Sequence, residues 1–144
     1  MDIASVKGFD NSEIEKLYYL WLSIACGHNP KRVNSCIERF GGAKELYISR
    51  LKDEDDKEFV TKILKRIPGR EFFDVGEAVK LYEKCRDKDI SILTVGDEDY
   101  PQLLKNISTP PAVLYVRGEL PNLYRCVTLR VVGTPRSSDY LRKF

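Results

Sequence analysis

The apolar residues of this chain change their period once, and that change limits the folds open to it. Up to about residue 85 they recur at helical spacing, and from residue 90 they fall in short β-branched runs. Helices followed by strands give an α+β expectation, with a boundary somewhere in residues 70–90. Asp10 and Glu13 fit a capping box, with Phe9 and Ile14 placed for a hydrophobic staple. Ile14, Leu17, Tyr18, Trp21, Ile24 and Ala25 then form one apolar face of a helix that Gly27 ends. Asn29-Pro30 starts a second helix as cap and first residue, with Val33, Cys36, Ile37 and Phe40 inward and Gly41-Gly42 as its stop. A short helix is predicted over 43–48 and a longer one over 54–66, broken by Pro68-Gly69. A second capping box is expected at Asp74 and Glu77, opening a helix that buries Ala78, Val79, Tyr82 and Cys85. Residues 90–95, 112–116 and 126–132 read as strands.

With 144 residues, 42% hydrophobic and 32% charged, the chain has a globular composition and is one ordinary domain or a small domain with a piece of another. No window is apolar enough to span a bilayer, and the first residues lack a signal pattern. The four cysteines, Cys26, Cys36, Cys85 and Cys126, form no CxxC pair, and with the single His28 they make no metal site. They are expected as small core residues in a reducing cytoplasm. Charge is unevenly spread. Residues 1–100 carry 17 basic and 20 acidic residues, whereas residues 101–144 carry 7 basic and 2 acidic. A basic C-terminal part suggests an anionic partner, nucleic acid included.

Three stretches are candidates for a role. Gly27 to Arg32 joins two helices, and tight hairpins of this kind can aim backbone N–H groups at a DNA phosphate, with Lys31 and Arg32 beside them. A plain connection between core helices is the alternative, and His28 reads as a turn residue. Tyr100-Pro101 and Pro110-Pro111 fix the backbone on either side of a short amphipathic turn, a scaffolding role with no acid, base or nucleophile arranged. The third stretch is Val131-Val132-Gly133-Thr134-Pro135-Arg136-Ser137-Ser138, a strand, glycine, loop and helix start like the opening of many phosphate-binding units. There Gly133 lets amides approach an anion, Ser137 and Ser138 can cap a helix or donate to phosphate oxygens, and Arg136 supplies a forked cation.

The series Tyr100-Pro101, Pro110-Pro111, Leu114-Tyr115-Val116-Arg117-Gly118 and Val132-Gly133-Thr134 resembles the DNA-processing protein family DprA, also called Smf. Tyr19-Leu20-Trp21-Leu22, Pro30-Lys31-Arg32 and Glu38-Arg39-Phe40-Gly41 fit its helical part. The resemblance implies an all-helical, sterile-alpha-motif-like or helix-hairpin-helix-like domain over residues 1–88. The opening strands of a truncated Rossmann-like α/β domain would follow over 89–144. It also implies a cytoplasmic, non-catalytic protein that needs no cofactor or metal, has no membrane partner and binds single-stranded DNA. Such proteins load the RecA recombinase onto that DNA during natural transformation, and they self-associate.

Matched position by position, Gly133, Thr134, Ser138 and Tyr140 are retained, with Arg136 and Ser137 in the same loop. Pro135 stands where the family commonly has arginine, and Leu141 where it has glycine. A fragment of the family's domain, binding DNA weakly at most, is therefore expected, with a tail from about residue 119 that is disordered, swapped or packed on another copy. Two other readings stay open. One is a helical module that docks protein or duplex DNA. The other is a nucleotide-binding Rossmann-type enzyme, for which Asp139 is the acid nearest the loop.

Overall fold

A computed structural model of the chain describes residues 1–122 and residue 125. The expected strand over 126–132, the loop residues Gly133, Thr134, Arg136, Ser137 and Ser138, and the expectation for the tail from residue 123 onward (residue 125 apart) lie outside the described residues. The described part is helix-rich with one small sheet, an α+β arrangement.

Helix α1 runs over Asn11–Ala25, opened by the expected box: Asp10 accepts from the Glu13 amide at 2.8 Å, and Glu13 accepts from the Asp10 amide at 2.9 Å. The single apolar face read from the sequence is too narrow. Leu17, Leu20 and Leu22 are all fully buried, because α2, α3, α5 and the sheet surround this helix. Gly27 and His28 then take left-handed backbone, and the His28 amide bonds back to Ser23 O at 2.7 Å. Helix α2 covers Pro30–Phe40, capped by Asn29 and stopped by Gly41 at φ 85°. Helix α3 covers Ala43–Ser49.

Helix α4 covers Glu54–Leu64, two residues shorter than expected. It stops at Lys65, which is left-handed at φ 57°, ahead of Pro68. A 3-10 turn at Arg70–Phe73 leads to α5, Gly76–Asp87. The second capping box does not form. Val75 occupies the cap position without a side-chain bond. Its amide donates instead to Met1 O at 3.0 Å, which draws the start of the chain alongside. Asp74 accepts from the Gly76 amide at 2.8 Å and from the Met1 nitrogen at 2.9 Å.

The aromatic residues lock these helices together. The Trp21 indole donates to Phe72 O at 2.5 Å, and its ring meets Tyr47, Phe72 and Phe73 at 5.0, 5.2 and 5.9 Å. The Tyr47 hydroxyl accepts from the Ile3 amide at 3.0 Å and donates to Asp2 at 2.7 Å. The chain start thereby closes over the ring cluster.

Strand β1, Ile90–Thr94, pairs antiparallel with β2, Val113–Arg117, from Ile90↔Arg117 to Thr94↔Val113. The Val95 amide continues the ladder to Ala112 O at 2.9 Å, so Leu93↔Leu114 is a hydrogen-bonded pair. Ile92 and Thr94 turn toward the helices and are buried. The Thr94 amide, on the edge of β1 away from β2, is satisfied by Asp97 at 2.6 Å, and Asp97 also lies 3.9 Å from Lys16 of α1. Gly96 fits here because a Cβ at that position would lie 3.2 Å from the Tyr19 hydroxyl. The hydrophobic core runs on past residue 88: Ile92 and Ala112 belong to the same cluster as Trp21 and Cys85.

Two expected outcomes test this packing. Trp21→Phe leaves Phe72 O without its donor and should cost about 1–3 kcal/mol, read by urea denaturation with circular dichroism. The Tyr47 hydroxyl, and after it the Ala4 amide and the Arg50 guanidinium, hold Asp2 below its ordinary carboxylate range. The stability Asp2 contributes is therefore present above about pH 4 and lost as pH falls through its folded value. Thermal midpoints of Asp2→Asn should depend less on pH below about 4 than those of the parent chain; equal dependence would contradict the assignment.

Candidate nucleic-acid interface

The hairpin between α1 and α2 spends its backbone donors on itself. Gly27, His28 and Asn29 donate to Ile24, Ser23 and Cys26 carbonyls at 2.9, 2.7 and 3.4 Å. The Lys31 and Arg32 amides both donate to Asn29 Oδ1, at 3.0 and 3.3 Å. What this hairpin can offer an anion is therefore the two side chains. Lys31 is exposed and Arg32 half-buried, and neither has an ion-pair partner among the described residues. His28 sits 3.1 Å from the Ser23 hydroxyl through Nδ1, which fits a turn residue.

Cys26, Cys36 and Cys85 are free and buried, as expected of small core residues. The Cys26 thiol is hydrogen-bonded to Cys36, and that bond together with burial pushes it up, away from the reactive thiolate. No group of three or more His, Cys, Asp or Glu able to hold a metal occurs among the described residues. None of their helices is long and apolar enough to cross a membrane.

The tyrosine-proline and proline-proline pairs meet in space. Tyr100 is buried, and its hydroxyl donates to Pro111 O at 2.6 Å. One residue earlier, Pro110 O accepts from Asn34 Nδ2 of α2 at 2.9 Å, and the same Nδ2 reaches Pro30 O at 2.8 Å. Proline has no N–H, but its carbonyl still needs a partner when buried. These two bonds fix the backbone that enters β2, and one of them comes from the helical part. The scaffolding role expected of these motifs is what the geometry supports.

Short helix α6, Gln102–Lys105, follows Pro101. Between it and the outer face of the β1–β2 sheet lies a cavity of about 650 Å³, walled by Leu93, Val116, Tyr100 and Leu120. Glu98, Asp99 and Glu119 also line it, so its rim is acidic and does not suit a phosphate backbone. The chain leaves β2 through Gly118 at φ 84°, where a side chain would be strained. The candidate residues Gly133, Thr134, Arg136, Ser137 and Ser138 come later and lie outside the described residues, as do Pro135, Asp139, Tyr140 and Leu141. The structure thus describes the platform that precedes the expected loop.

Sequence reasoning missed Asn34, Asp97 and Lys16. Asn34 sits on the polar side of α2, and nothing local ties it to a carbonyl 76 positions away. Asp97 had a signal, a Gly-Asp turn behind a strand, but its bond to Thr94 and approach to Lys16 depend on where α1 lies.

Comparison with known proteins agrees with the sequence reading. Residues 91–144, from the second residue of β1 onward, match the family described as DNA recombination-mediator protein A. The DNA processing protein DprA of Bacillus subtilis (strain 168) is 33% identical over 55 residues, which is 38% of this chain and 18% of that protein. The matched stretch thus spans less than a fifth of that relative's length. No solved structure gives a significant match. The resemblance carried by the tyrosine-proline, proline-proline and glycine-loop motifs is borne out over this stretch.

Tyr100→Phe removes the donor to Pro111 O while keeping the ring. It should destabilise the chain by about 1–3 kcal/mol in urea denaturation, and an unchanged midpoint would show that the carbonyl does not need the bond.

Proposed function

We propose that this chain, similar over residues 91–144 to DNA recombination-mediator proteins, takes part in handling single-stranded DNA for recombination. The observation that carries this reading is the family match over a stretch that includes the residues from Val131 to Ser138. In this reading the protein is a binding factor that works in the cytoplasm and makes and breaks no covalent bond. Its partners are single-stranded DNA, a RecA-type recombinase that it helps to load, and further copies of itself.

The chemistry asked of the loop is modest. Gly133 and Thr134 offer backbone amides close to a phosphate, Ser137 and Ser138 offer hydroxyls, and Arg136 offers a guanidinium fork. Pro135 has no N–H, so it removes one donor from the middle of the series. Leu141 replaces a residue without a side chain, which narrows the approach. Both departures weaken the grip. The 7 basic against 2 acidic residues of the stretch 101–144 supply the long-range attraction.

The described body contributes rigidity. Tyr100 and Asn34 tie the entry to β2, and the ladder ties β2 to β1, which packs on α1 and α5.

Fluorescence anisotropy of a labelled oligothymidine against the 144-residue chain, at a series of salt concentrations, tests the reading. Micromolar or weaker binding is expected near physiological salt, with log affinity falling by about 0.7 per phosphate contact for each decade of salt. Arg136→Gln should weaken binding and flatten that slope. No binding even at low salt would overturn the reading, and nanomolar binding at physiological salt would overturn the weak grip assigned to this loop.

A further inference from the structure

A basic cavity lies in the helical part, away from the motifs considered so far. The connection after α4 reads Lys65-Arg66-Ile67-Pro68-Gly69-Arg70, three cations in six residues with no acid among them. Pro68, Gly69 and Arg70 wall one side of a cavity of about 510 Å³. The end of α3 walls the other, and Lys57 of α4 enters from a third direction. Three cations, Arg50, Lys57 and Arg70, thus line one space, and no acid does.

Asp2 and Glu54 engage the lining cations only in part. Asp2 engages Nη2 of Arg50 at 2.5 Å, which leaves the other guanidinium donors free for a second partner. Glu54 comes no closer than 3.9 Å to Lys57 and is itself 86% exposed. Arg70 is exposed and has no ion-pair partner among the described residues. Glu71 lines the neighbouring cavity with Asp74 and Glu77, and its carboxylate also packs against Gly69, so one acid stands at the edge of this space.

Arg50 is held in place. Its guanidinium lies 4.3 Å from the Tyr47 ring centre and 4.9 Å from that of Phe73. The backbone beneath it is strained: Arg50 and Leu51 are consecutive left-handed residues, φ 51° and 48°, without glycine's freedom. Burial of Leu51 in the core holds this turn. A forked cation held by two rings, with two further cations lining the same space, suits a tetrahedral oxyanion, and the volume admits a phosphate with its sugar.

We propose that this cavity is a second phosphate-binding site, which takes a phosphodiester of the single-stranded nucleic acid that the chain binds. The nucleic-acid part of this inference rests on the function proposed above, whereas occupancy by phosphate does not. The helical part then holds the nucleic acid through residues other than those from Gly133 to Ser138.

Two titrations of the full chain test this, each with the parent, the double variant Lys57→Gln with Arg70→Gln, and Arg136→Gln. Arg50 is left intact because it also braces Tyr47 and Asp2. First, inorganic phosphate is followed by amide nuclear magnetic resonance. Shifts at Leu51, Gly69 and Arg70 are expected in the parent and in Arg136→Gln, and their loss is expected in the double variant. Second, labelled oligothymidine is followed against salt. The double variant should bind several-fold more weakly, with a slope flatter by about 0.7.

If the parent shows no phosphate shifts at these residues, the site does not exist. Phosphate shifts combined with parent-like oligonucleotide binding by the double variant would mean a free-phosphate site and overturn the proposal. Weakened binding in the double variant with none in Arg136→Gln would uphold the cavity and count against the loop. An unaffected double variant beside a weakened Arg136→Gln would do the reverse.

Discussion

Two prolines in succession give the chain two carbonyls and no donors, and the structure turns on how those carbonyls are met. Pro110 O is taken by Asn34 from α2, and Pro111 O by the hydroxyl of Tyr100. The first bond spans the helical part and the sheet, and the second closes the connection between the strands on itself. Strand β2 starts two residues later, so its position follows from these contacts. In a chain where helices come first and strands second, this clip makes the two parts share one core, in which Ile92 and Ala112 pack with Trp21 and Leu17. A bare hairpin of two five-residue strands would be marginal in water, and packing on α1 and α5 is what holds it.

The same economy governs the helical part. Trp21 carries both the largest buried side chain and a polar nitrogen, and placing that nitrogen on Phe72 O brings the 3-10 turn at Arg70–Phe73 against α1. Phe73 then stacks under Arg50, and Tyr47 joins the cluster from α3. The ring cluster thus organises the core on its inner side and, through Arg50, the edge of the basic cavity on its outer side. Packing holds Arg50 there, and Lys57 and Arg70 line the same space. A phosphate would complete it.

Much of the helical part was legible because its signals are local. The Asp10 and Glu13 box, the Asn29-Pro30 start and the Gly41 stop each involve residues within four positions of one another, and each formed as read. The second box failed for a reason outside its window: Val75 donates to Met1 O, and Asp74 turns to the Gly76 amide and the chain start. Likewise α4 ended early at a left-handed Lys65, a residue type that gives no warning of that conformation. The full burial of Leu20 and Leu22 reflects neighbours that arrive on the far side of α1, which periodicity along one helix does not reveal. For the interface, the proline motifs were read correctly as scaffold, while their link to Asn34 needed the fold. The hairpin at Lys31 and Arg32 looked able to present free amides, and the Asn29 cap that made it recognisable is also what occupies them.

Native-state hydrogen exchange measures most directly whether the proline clip makes helices and sheet one cooperative body. The amides to compare are those of Leu93 and Leu114 in the ladder and of Leu20 within α1. If the clip holds as described, all three exchange with similar opening free energies and respond alike to added denaturant. Ladder amides that open at far lower free energy than Leu20, with α1 undisturbed, would show that the sheet hangs on the helices without sharing their core, and would contradict the account.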